Sequence, residues 1–296
     1  MNKPASTFDL DVQIRRYLAT GDHESGFLGW PGCNLVEAAT EASACLREAL
    51  IAEVLARASA SVKRPQLDVS GIQDLTRAKV VPMVAGLFPK AEQDAVMAIT
   101  ERSVVFLTPE TIEHVLRSAS WPRTAWSLAN LYLVSIGVAQ LSDDVPAIVG
   151  LSQETSCYVS MAYFDETDPY ADFIVHEVAH VFHNCKRAAV GLPETRRREW
   201  LLDIDFRKRE LFAYACEAYS HILAVGETRQ RRLDALARHA DGALPSDETI
   251  EIDEYLDLLA AAVRSRNGWM CILRRCSPTR RDRLRPAGSR GAPDSR

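Results

Sequence analysis

Apolar residues recur along most of this 296-residue chain at helical spacing, with one short stretch where the period changes. Residues 8–19 predict a short helix after Ser6-Thr7, and Gly21 to Gly32, with Trp30-Pro31-Gly32, reads as a loop. Asn34 is the expected N-cap of a long helix to about Ala60, with Val36, Leu46, Leu50, Val54 and Leu55 on its apolar face. Ser61–Ser70 is a break. Ile72 to Leu87 reads as a second helix with Pro82 as a kink or boundary, and 91–101 as a third. At Ser103-Val104-Val105-Phe106-Leu107 a β-branched run predicts a strand. Thr108-Pro109-Glu110 then reads as a helix start, with Thr as cap and Pro at the first position. Pro122–Gly137 predicts another apolar helix. Two further strands are expected at Ala147–Leu151 and Cys157–Phe164, the second alternating as a half-exposed or edge strand would. Asp168-Pro169 is expected to cap the helix that follows. Late in the chain come a basic helix at Thr228–His239, a loop at 241–245 and a last helix at Asp247–Arg264. From Ser277 onward Arg, Pro, Gly and Ser dominate, a composition that predicts a disordered tail.

The chemistry concentrates in Ala171-Asp172-Phe173-Ile174-Val175-His176-Glu177-Val178-Ala179-His180-Val181-Phe182. His176 and His180, at i and i+4, project from one helix face, so two imidazoles can reach one zinc ion. Glu177 lies beside that position and can take a proton from an activated water. The flanking residues are apolar, so the helix runs through a core. A core helix carrying two His and a Glu must satisfy buried polar groups, and a metal would do so.

A catalytic zinc needs a third protein ligand and an open position. His183 shares the face of His176 and His180. However, seven residues of helix separate His176 from His183 by about 10 Å, too far for one ion on an unbroken helix. His183 is therefore expected beside a ligand or packed in the core. A better source is Arg209–His221, a run rich in Ala, Leu and Phe. There Glu210, Tyr214, Glu217 and His221 sit at i, i+4, i+7 and i+11 and line one narrow face, a polar stripe that requires a partner.

Strands followed by an H-E-x-x-H helix resemble the zincin-type zinc metallopeptidases. Gly three residues after the second His and His six after it would mark the metzincin group. Those positions are His183 and Lys186, which excludes it. Glu210-Leu211-Phe212-Ala213 resembles the E-x-F-A pattern around the third ligand in lethal-factor-like gluzincins. That resemblance implies His176, His180 and Glu210 as zinc ligands. Glu217 is then a carboxylate orienting a ligand His, or the alternative ligand. It also implies that Cys157–Tyr163 is an edge strand pairing with an extended peptide substrate. Tyr214, His221, Tyr158 and Tyr163 are the candidates for oxyanion or substrate contacts.

The implied fold is α+β: a zincin-like catalytic core with a small mixed sheet at 102–276, a mostly helical N-terminal region at 1–101 and a basic tail at 277–296. The implied function is a zinc-dependent metallopeptidase that hydrolyses peptide bonds through a zinc-activated water, with Glu177 as general base and a peptide or protein as substrate. The alternative is a non-catalytic zinc-binding or regulatory protein on a zincin scaffold. Glu177 argues against it, because a purely structural site has no need of that carboxylate. A net charge of −5 gives no reason to expect a nucleic-acid partner. The N-terminus has no apolar signal segment and no apolar run approaches the roughly 20 residues that span a bilayer, so no membrane association and a cytoplasmic location are expected. The seven scattered Cys fit reduced core residues of a cytosolic protein. The charged stretch from Lys186 to Lys208 reads as a solvated loop or helix face.

Overall fold

A computed structural model describes residues 8–24, 26–27, 29–59, 69–142, 150–153, 155–166, 168–195 and 198–278, apart from the side chains of Val69 and Ser70. Ser6-Thr7, most of the expected break at 61–70, the first part of the 147–151 strand, Arg196-Arg197 and nearly all of the tail lie outside the described residues. In order, the elements are α1 (Leu10–Thr20), α2 (Leu35–Ser59), α3 (Val69–Leu87), α4 (Lys90–Ser103), β1 (Val104–Leu107), α5 (Ile112–Ser118), α6 (Pro122–Ser135), β2 (Gly150–Gln153) and β3 (Ser156–Ser160). They are followed by α7 (Phe173–Asn184), α8 (Arg209–Val225), α9 (Arg229–Ala240), α10 (Ile252–Arg264) and α11 (Gly268–Cys276). The described residues are thus mostly helical, with one small three-stranded sheet among them, an α+β composition.

The strand order is β1-β3-β2, so β3 is central. This corrects the edge-strand expectation for Cys157–Tyr163. Cys157, Tyr158, Val159 and Ser160 are all buried, and the chain leaves the strand at Met161 for a short 3-10 turn. The polar residue that suggested an exposed face, Ser160, is buried with its hydroxyl accepting from the Ala162 N–H at 3.1 Å.

Contacts group the chain into two compact units. The first holds Met1–Leu67, Val105–Leu151 and Tyr158–Asp165; the second holds Asp68–Val104, Ser152–Cys157 and Glu166–Arg296. In the first, α2 packs on α1, α5 and α6. Leu46, Leu50 and Val54 point inward, but Val36 and Leu55 are exposed, so the apolar face of α2 is narrower than its sequence suggests. Asn34 caps α2 as expected, accepting from Glu37 N–H at 3.0 Å. Asp9 caps α1, accepting from Asp11 N–H and Val12 N–H. Helix α5 starts three residues later than expected, at Ile112. The Thr108 carbonyl first closes a turn on Thr111 N–H, and the Thr111 hydroxyl donates to the Phe106 carbonyl at 2.7 Å.

In the second unit α8 packs on α7, α9, α10 and α11, and α3 packs on α4, α7 and α11. Pro82 lies within α3, which runs on to Leu87. Gly86 lets α11 approach: a Cβ there would collide with the Trp269 indole. Asn267 caps α11, a helix absent from the sequence expectations, and the last long helix, α10, begins at Ile252 rather than Asp247. Among the described residues all seven cysteines are free; Cys157, Cys185, Cys216 and Cys276 are buried, whereas Cys33 is exposed. No helix of the described residues is long and apolar enough to cross a membrane.

Candidate metal centre

Helix α7 forms because its apolar residues fill a core. Ile174, Val175, Val178, Ala179, Val181 and Phe182 have no exposed surface, and Phe182 meets Phe88 edge-on at 5.0 Å. Its start is four residues later than expected. Asp168 instead closes the preceding turn, accepting from Tyr170 N–H at 2.9 Å, and Asp172 is the cap, with its carboxylate toward Val175 N–H at 3.4 Å. Two further contacts fix Asp172 in this place. Its own N–H donates to Glu217 Oε1 at 2.6 Å, and its Oδ2 pairs with Lys79 Nζ on α3 at 2.7 Å.

Helix α8 brings the polar stripe alongside. His176 Nε2 and His180 Nε2 are 3.2 Å apart, and Glu210 Oε2 lies 3.7 Å from the first and 3.4 Å from the second. Three corners of a tetrahedron around an ion with bonds of about 2.0–2.1 Å are separated by about 3.3–3.4 Å. The three donors therefore stand where one divalent ion could hold them, and this His-His-Glu group could bind a metal. The two histidine side chains are 12% and 10% exposed and the Glu210 side chain 39%, so the group is closed on the imidazole side and open on the carboxylate side.

Glu217 does not join the three. It accepts from His176 Nδ1 at 3.0 Å, leaving Nε2 directed at the Glu210 side. His180 Nδ1 lies 3.0 Å from His183 Nε2, and His183 Nδ1 lies 3.1 Å from Asn184 Oδ1. His183 is buried and lies beside His180. Burial and the neighbouring His180 and Arg209 charges push its pKa down to about 3, so it is neutral.

The electrostatics of the group favour a cation. Burial disfavours a charged His176, yet Glu210 and Glu217 outweigh it and raise that pKa to about 10. Burial would also raise the Glu210 pKa, but hydrogen bonds with His176 and His180 hold it well below the usual carboxylate range. The Glu177 carboxyl is pushed up by burial, against the pull of the His176 and His180 charges. Carboxylates that drag an imidazole toward protonation equally welcome a divalent ion in place of the proton.

The four remaining candidates separate. The Tyr214 ring lies edge-on to His176, with centroids 4.5 Å apart, and burial together with nearby Glu217 pushes its phenol up to about 12. His221 lies about 16 Å further along α8 than Glu210. It packs on Tyr170, ring centroids 4.5 Å apart, and is not part of the metal group. Tyr158 and Tyr163 belong to the first unit: Tyr158 is buried in its apolar core, and Tyr163 packs edge-on against Phe106 and Phe164. The sequence reading missed Asp172 and Lys79 as supports of the site. Asp172, four residues before His176, carried a readable signal as a potential cap; Lys79 carried none.

No protein-family model, curated protein or solved structure matches the chain.

Proposed function

We propose that the chain is a zinc-dependent metallopeptidase with a zincin-like, gluzincin-type site. The observation that carries this reading is the mutual spacing of His176 Nε2, His180 Nε2 and Glu210 Oε2, 3.2–3.7 Å, with Glu177 on the same helix as both imidazoles. Two imidazoles and one carboxylate, open on one side, match the donor set of a hydrolytic zinc site. Bound there, zinc would act as a Lewis acid on water and on the scissile carbonyl.

The chain's own groups supply the rest. Glu177, a buried carboxylate with a raised pKa, is matched to accept a proton from the attacking water and return it to the leaving amine. Glu217 holds His176 in the Nδ1–H tautomer. Tyr214 keeps its proton and is the phenol beside the ligands that can donate to a developing oxyanion. The retained Glu177 favours hydrolysis over a purely structural metal.

Zinc per chain, measured by elemental analysis, tests the site. Near one is expected in the wild type and in Glu217→Ala, at reduced affinity in the variant, and near zero in Glu210→Ala. Cleavage of a mixed peptide library then tests the chemistry. Glu177→Gln should keep its zinc and lose hydrolysis; unchanged hydrolysis in that variant would refute the assigned base.

A further inference from the structure

We infer that His183 and Asn184 set the tautomer of the ligand His180, so that the two ligand imidazoles are held by chemically different partners. This rests on the metal-site reading and goes beyond it. His176 has a carboxylate behind it, Glu217, at 3.0 Å from Nδ1. His180 has no carboxylate at its Nδ1; the atom there is His183 Nε2, also at 3.0 Å. Two imidazole nitrogens at that distance share one hydrogen, so one donates and the other accepts. The next contact decides which. His183 Nδ1 faces Asn184 Oδ1 at 3.1 Å, and an amide oxygen only accepts. His183 therefore carries its hydrogen on Nδ1, its Nε2 is the acceptor, and His180 Nδ1–H is the donor. The lone pair of His180 is left on Nε2, the atom 3.2 Å from His176 Nε2 and 3.4 Å from Glu210 Oε2.

His183 side-chain placement is restrained, since the residue is 3% exposed and its ring lies at 89° to that of His180 with centroids 5.1 Å apart. The shared face that made His183 look like a third ligand thus serves another purpose. His183 is a positioning residue: it orients a ligand without touching the ion. A reversed chain, with Nε2–H on His183, would leave the hydrogen of neutral His180 on Nε2 and remove it from the donor set.

The test combines a tautomer measurement with zinc affinity. Long-range proton–nitrogen NMR of the zinc-loaded, full-length wild type should report an Nδ1–H tautomer for His183. Chelator competition should find zinc bound about 10–100-fold more weakly by His183→Leu. His183→Gln, which restores an acceptor near the Nε2 position, should recover most of that loss. Cobalt substituted for zinc should show a visible spectrum shifted in His183→Leu and restored in His183→Gln, a change that general loosening of the fold would not reverse. An Nε2–H tautomer in the wild type, or equal zinc affinity in wild type and His183→Leu, would overturn the inference while leaving the metal site standing. A wild type that takes up no zinc would overturn the metal site itself, and this role with it. The tautomer reading needs no variant, so the test survives if His183→Leu does not fold.

Discussion

The two units bury different kinds of polar group. In the first, the buried polar residues among those described are Thr108, Asn130 and Ser160, all neutral. Asn130 shows how they are used: its amide donates to the Trp126 carbonyl at 2.9 Å and accepts from Leu141 N–H at 2.7 Å, closing backbone groups inside an apolar cluster. The second unit also buries hydroxyls, at Thr76, Thr100 and Ser103, but adds Asp172, Glu177, Arg187 and Glu217 together with His180, His183 and His239. Burying ionisable groups is costly unless each finds a partner, and such groups concentrate where chemistry is done. The first unit is therefore held by volume and the second in part by pairs, which makes their responses to mutation, pH and metal separable.

The largest difference should come from Arg187, which is 1% exposed and forks onto Glu92 with contacts of 3.1 and 2.8 Å. Among the described residues, Arg187→Ala leaves Glu92 with the exposed Arg198 at 3.2 Å, and should cost about 3–5 kcal/mol in denaturant unfolding. Hydrogen exchange should place the lost protection in the second unit. The same pair gives a pH signature. The Arg187 hydrogen bond lowers the Glu92 pKa despite its burial, so its stabilisation is present above the ordinary carboxylate pKa and is lost as pH falls through the depressed value. Acid titration of stability should be shallower in Arg187→Ala than in the wild type.

Leu46→Ala is the counterpart in the first unit. Leu46 is fully buried in the apolar cluster, and truncating it should cost about 2–5 kcal/mol by the same measurement. Stability in this variant should keep the wild type's acid dependence, and zinc per folded chain should be unchanged. Zinc itself should sharpen the contrast. At a free concentration 100 times its dissociation constant it should add about 2.7 kcal/mol to the state that binds it. Slower exchange is expected in α7 and α8 of the wild type and no added protection in Glu210→Ala.

The legible parts of the site were those carried by local spacing. The i, i+4 pair in α7 and the polar stripe on α8 were readable because helix geometry fixes which side chains share a face. The start of α7 was not. Asp168 and Asp172 are both acceptable caps; the choice is made by Glu217 on Asp172 N–H and by Lys79 on its carboxylate, partners 45 residues later and on another helix. The place of β3 was hidden for a similar reason. A buried Ser160 whose hydroxyl is satisfied by the next turn looks in sequence like an exposed strand position. Arg187 was lost in a charged run because its acceptor sits on α4. Misreadings here were of long-range choices between locally acceptable options.

The smallest expected effect tests whether an exposed polar pair of the first unit acts cooperatively. At the start of α2 the Asn34 and Glu37 side chains interlock: Asn34 accepts from Glu37 N–H at 3.0 Å, Glu37 Oε2 accepts from Cys33 N–H at 2.8 Å, and Glu37 Oε1 accepts from the Asn34 amide at 2.9 Å. These groups are exposed, so each loss is made up partly by water. Asn34→Ala should cost about 1 kcal/mol in thermal or denaturant unfolding. Because the two side chains also bond each other, Asn34→Ala/Glu37→Ala should cost less than the sum of the single variants. Strict additivity would mean that the contacts at this helix start act independently. A coupling would place this exposed polar pair on the same footing as the buried pairs of the second unit, at a fraction of their strength.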